Sequence, residues 1–137
     1  MYTIERHAGR LLEVRQIAPT PLTLDEVLSF RDAMARTIRA SAGPVVLCVD
    51  LRQATLFAPE AASEIEALMK QINPRLERSA IVLPGDRPTM ALQMERLVRA
   101  AGRASRRTFL GPAAAAEWLG EILDDSERER LRVFLEL

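Results

Sequence analysis

The sequence contains one cysteine and one histidine, and Lys70 is the only lysine among its 19 basic residues. A lone Cys48 excludes an intrachain disulfide framework and fits a reducing compartment. A lone His7 with no thiol cluster offers no zinc-ligand spacing. A serine or cysteine nucleophile needs a positioned base, and His7, on an edge strand, reads as a surface residue. Net charge is also missing: 19 basic residues cancel 19 acidic ones, so no global field draws the chain to nucleic acid or anionic lipid. Aromatic residues make up only 4%. The local cluster Arg99, Arg103, Arg106 and Arg107 therefore lacks interleaved rings for stacking on single strands and reads as solvated surface. Gly85 and Gly111 are isolated, so no Gly-rich phosphate loop is present. No apolar run approaches the roughly 20 residues that span a bilayer. Met1 to Arg6 lacks the basic start and apolar stretch of a signal peptide. A cytoplasmic protein without membrane insertion is expected.

What is present suits one domain with a real core: 137 residues, 48% hydrophobic and 28% charged, the balance of a globular chain and not of a disordered one. Tyr2 to His7 alternates, and Ala8-Gly9-Arg10 turns it into Leu11, Leu12, Val14 and Ile17, a hairpin. Pro19 and Pro21 break the chain. Thr23 and Glu26 form a capping box ahead of a helix with Val27, Phe30, Met34 and Ile38 on one face. The continuous run Val45-Val46-Leu47-Cys48-Val49, ending at Asp50, suits a central strand covered on both faces. A helix after Pro59 follows, ended by Asn73-Pro74. Ala80 to Leu83 reads as a short strand. A third helix opens after Pro84-Gly85-Asp86-Arg87-Pro88. Arg107 to Leu110 reads as the last strand, and a fourth helix turns Ala115, Trp118, Leu119 and Ile122 inward.

The order ββαβαβαβα predicts an α/β domain over 1–123, with a mostly parallel sheet, an antiparallel N-terminal hairpin and helices packed on the sheet. The tail, 124–137, has a capping box in Ser126 and Glu129. Its stripe Leu131, Phe134 and Leu135 is expected either to fold back on the domain or to serve a homodimer.

With this order, Val49-Asp50-Leu51 at the end of the third strand and the later run Ala80-Ile81-Val82-Leu83-Pro84, the chain resembles a STAS domain, the fold of anti-sigma-factor antagonists. The resemblance covers roughly residues 2 to 123. In phosphorylatable members an Asp-Ser-Ser/Thr-Gly motif follows the strand-end aspartate, and a kinase modifies the hydroxyl residue before the glycine. A gapless count from Asp50 places Ala58-Pro59-Glu60-Ala61 over that motif, with no motif residue kept, so the usual switch is expected to be absent. Glu60 lies at the phosphoacceptor position, where a carboxylate at a helix N-terminus partly imitates phosphate. Proline followed by glutamate is also an ordinary helix start. Thr55 and Ser63 are the nearby hydroxyls, and both read as structural.

A receiver-type role for Asp50 fails, because that chemistry needs an acidic pair after the first strand and a lysine after the last. The resemblance implies a non-catalytic interaction module in bacterial signalling, not an enzyme, with no cofactor and no metal. Its partner would be an anti-sigma factor or a kinase-like protein, met by Asp50, Arg52, Thr55, Pro59, Glu60 and Ser63. The alternative is a carrier of a small apolar ligand or lipid, with Met34, Met69, Met90 and Met94 lining an adaptable pocket.

Overall fold

The computed structural model describes residues 1–17, 22–103 and 105–137. Pro19 and Pro21, read as chain breaks, lie outside the described residues. Strands β1 (Tyr2–Ala8) and β2 (Leu11–Gln16) are followed by helix α1 (Leu24–Arg39), β3 (Val45–Asp50) and α2 (Pro59–Ile72). Then come β4 (Leu76–Val82), α3 (Pro88–Ala101), β5 (Arg106–Phe109), α4 (Pro112–Gly120) and α5 (Asp125–Leu135). The five strands form one sheet in the order of the chain, with β1 antiparallel to β2 and every later neighbour parallel.

That strand order decides where the helices go. Each parallel step, β2 to β3 to β4 to β5, advances in the same direction, and crossovers of one hand then place α1, α2 and α3 on a single face. Leu12, Val14, Leu47 and Ile81 turn towards those helices, into clusters with Met34, Leu68, Ile65 and Met94. The alternate residues Leu11, Val46, Cys48, Ala80 and Val82 face the other way. Only residues after β5 remain to cover them. Helices α4 and α5 do so with Ala115, Leu119, Leu131, Phe134 and Leu135. The stripe on the tail thus folds back on its own sheet, and the surface expected to serve a homodimer is buried inside the chain.

The capping box of α1 is present as read, with Glu26 N–H donating to Thr23 Oγ1 at 3.1 Å. The box of α5 differs from expectation. Its cap is Asp124 with Glu127, not Ser126 with Glu129. Glu127 is drawn inward because its carboxylate also accepts from the Arg10 N–H at 2.6 Å, at the turn of the first hairpin. Gly9 in that turn has φ +51°, and a Cβ there would lie 2.3 Å from Glu127 Oε2; both facts require glycine. Strand β4 begins at Leu76, four residues before the expected start, because Glu77 and Arg78 gain partners in Arg10 and Glu121. No helix among the described residues is long and apolar enough to cross a membrane.

Candidate functional site

The carboxyl ends of the parallel strands carry the residues singled out in the sequence. Asp50 closes β3, and its Oδ1 accepts the Arg52 N–H at 3.0 Å, an Asx turn that ends the strand. The same carboxylate accepts from Arg52 Nε and Nη2 and from Arg15 Nε, each at 3.0 Å. Both arginines then reach past it to helix α5. Arg15 donates to the Phe134 carbonyl and stacks on that ring at 4.4 Å, and Arg52 donates to the Leu135 carbonyl at 3.3 Å. The last carbonyls of a helix lack intrahelical donors, and two cations held by one buried carboxylate supply them here.

Burial pushes the Asp50 carboxyl up, but the side-chain and backbone hydrogen bonds from Arg52, its charge and the Arg15 bond outweigh this, and the group lies below the usual carboxylate range. The Glu127 carboxyl behaves alike: burial raises it, and the bonds at the Asp124 and Arg10 amides and the Arg10 guanidinium lower it further. A carboxyl depressed in the folded state stabilises above its unfolded value, about 4, and loses that contribution as pH falls through the folded value. The urea midpoint is therefore expected to stay level from pH 7 to about 5 and to fall below about 4. Asp50→Asn should lower the plateau and shallow the acid slope; an unchanged slope would count against the clamp.

The other sequence-derived residues divide in two. Thr55 Oγ1 is buried with no partner among the described residues, out of reach of a modifying enzyme. Pro59, Glu60 and Ser63 are exposed together on the first turns of α2, where the Ser63 hydroxyl donates to the Pro59 carbonyl at 3.1 Å. Asp50 and Arg52 are directed to α5, on the opposite face of the sheet. The six residues therefore do not make one patch.

The segment from Leu51 to Ala58 joins the two halves, and its backbone is unusually well held for a loop. The Gln93 amide of α3 pairs with both the N–H and the carbonyl of Phe57 at 2.9 Å. Arg87 donates to the Ala54 carbonyl at 2.9 Å. Phe57 and Ala54 are buried, whereas Leu56 stands 43% exposed between them. None of these anchors was found by sequence reasoning. Arg15 did leave a signal: together with Glu13 it puts two charges into β2, a strand flanked on both sides, where charges require partners.

Other candidate groups resolve simply. Cys48 is fully buried; burial, then the Asp50 and Glu13 charges, push its thiol up. Glu5, His7 and Glu13 gather on the first hairpin, but both Glu13 oxygens are taken by Arg130 at 2.8 Å. Arg106 overturns its reading as solvated surface. It is 4% exposed, because its place in β5 turns it under α2, where it donates to Asn73 Oδ1 and the Met69 carbonyl.

An α/β chain of this layout is found in a solved structure. It is similar to an uncharacterized protein of the DUF3478 family with a SpoIIAA-like fold from Shewanella loihica PV-4. The match has a TM-score of 0.63 and 17% identity, over 87% of this chain and 92% of that one. The fold is SpoIIAA-like. That makes it STAS-like, as the order of elements and the strand-end aspartate led one to expect. No family model and no curated protein match the sequence. In this SpoIIAA-like fold the expected antiparallel hairpin lies at one sheet edge, and β5 forms the other.

Proposed function

We propose that the chain is a non-catalytic protein-interaction module of bacterial signalling, similar to an anti-sigma-factor antagonist that works without the usual phosphorylation switch. The supporting observation is the anchored loop from Leu51 to Ala58 running into the exposed first turns of α2. A surface loop whose backbone is fixed from below loses little entropy when a partner docks. It presents apolar Leu56 beside Pro59, Glu60 and Ser63, an apolar contact bordered by polar groups. Glu60 gives that surface a permanent negative charge at a helix N-terminus, where such charge is favoured.

The immobilised full chain, exposed to bacterial lysate, is expected to retain an anti-sigma-factor-like or kinase-like protein. Glu60→Ser should then shift its affinity by about two- to fivefold, the scale of a charge at a helix end. Leu56→Arg should abolish retention, with the thermal midpoint unchanged for both variants. A folded bait that retains no specific protein, or one whose partner ignores both substitutions, would remove this reading.

A further inference from the structure

Between the sheet and helices α1 and α2 lies a cavity of about 80 Å³ whose wall is almost wholly apolar. Phe30, Met34, Leu68, Met69 and Met94 line it from the helices. Met90, grouped with the other methionines in the sequence, packs elsewhere in the core and does not line it. Gln16, Ser79 and Arg106 on the strands interrupt the apolar wall. Strand register sets Leu47, Ser79 and Arg106 side by side on this face. Ser79 is 1% exposed, and its hydroxyl has no partner among the described residues. Gln16, 3% exposed and four residues further along β2 than Leu12, likewise leaves both amide atoms unpaired among them.

Arg106 is the charged member of the wall. Its two bonds go to neutral acceptors, Asn73 Oδ1 at 2.7 Å and the Met69 carbonyl at 3.3 Å. It forms no ion pair among the described residues, although a buried guanidinium ordinarily has a carboxylate. Burial, and then the neighbouring charge of Arg103, bring its pKa down to about 10. Arg106 also lines an open groove on the outer side, between α3 and β5, with Glu95, Arg99 and Arg103. Arg106 thus borders both the apolar cavity and a mostly basic groove.

We propose that this cavity binds a very small monocarboxylic acid, its carboxylate taken by Arg106 and the Ser79 hydroxyl and its methyl group lying against the neighbouring apolar wall. An anion there supplies the counter-charge and the acceptor that Arg106 and the Ser79 hydroxyl lack among the described residues. Size sets the ligand: a dry cavity of roughly 150 Å³ takes benzene, with its six heavy atoms, so about half that volume suits an acid of about three or four heavy atoms, such as acetate. Arg99 and Arg103, which line the groove beside Arg106, favour an anion over a neutral or cationic molecule of the same shape.

Acetate is the probe, with the isosteric acetamide and acetamidinium as neutral and cationic controls, added to the full chain carrying 13C-methyl methionine. Saturable shifts are expected at Met34, Met69 and Met94 and not at Met90, with acetate binding tighter than either control. Ser79→Ala removes a hydroxyl without a partner among the described residues, so the variant should fold as well as the parent, and it should weaken acetate about tenfold, the scale of one charge-assisted hydrogen bond. Equal responses to acetate and acetamide would show a cavity indifferent to charge and overturn the proposal. So would undiminished affinity in Ser79→Ala. Long-lived water signals in the cavity with no response to acetate would assign the polar groups to internal hydration, again overturning it.

Discussion

Arg130→Ala is expected to cost about 3–5 kcal/mol of folding stability. The Glu13 side chain is 0% exposed and accepts two 2.8 Å bonds from the Arg130 guanidinium, which is 28% exposed. Alanine leaves the buried carboxylate in the sheet–α5 layer without the two hydrogen bonds and the counter-charge that Arg130 supplies. The loss is then set by desolvation of Glu13 and not by the modest net value of the pair. A double variant, Glu13→Met with Arg130→Met, removes both charges and should recover most of the loss. Urea unfolding followed by circular dichroism measures each. If Arg130→Ala loses less than about 1 kcal/mol, the pair is behaving as a surface one, and the buried description of Glu13 is wrong.

A chain ended after Leu123 should fail to fold cooperatively. Leu131, Phe134 and Leu135 are exposed by only 1%, 5% and 0%, and the loss of such a side chain costs about 2–5 kcal/mol. Their removal also uncovers Leu11, Val46 and Cys48 and strips Glu13 of its partner. Together these losses match or exceed the roughly 5–15 kcal/mol that holds a domain of this size. The truncated chain should give a broad, non-sigmoidal urea profile and poorly dispersed amide resonances. A sharp transition from residues 1–123 alone would show instead that α5 is an accessory.

Much of the fold was legible because its signals are local. The five-residue apolar run before Asp50 announces a strand buried on both faces, and the Thr23–Glu26 box marks the start of α1. The misplaced features all depend on distant partners. Leu76 to Ser79 looks too polar for an inner strand until Arg10 and Glu121 are brought to Glu77 and Arg78. Ser126 and Asp124 both offer a helix cap with a glutamate three residues on, and the choice falls to Asp124 because the Arg10 amide claims Glu127. Arg106 reads as surface from its arginine neighbours; only the register of β5 against Ser79 places it inside. The candidate site shows the same division. Pro59 and Glu60 are a helix start visible in sequence, whereas the Gln93 and Arg87 anchors beneath the loop sit on another helix and leave no local trace. Asp50 was found for its position, but its engagement with the end of α5 was not.

The pairing of Glu13 with Arg130 also has a consequence for synthesis. The two residues are 117 positions apart, and at roughly 5–20 residues per second a ribosome needs on the order of 6–23 s to make the second after the first. Throughout that interval the hairpin carries a carboxylate with no counter-charge, and one face of any early sheet stays greasy. The nascent chain therefore gains little by folding piecemeal and should close late, in a single step. A stalled or prematurely released product would keep both defects, and would be conspicuous to chaperones and proteases that survey unfinished chains.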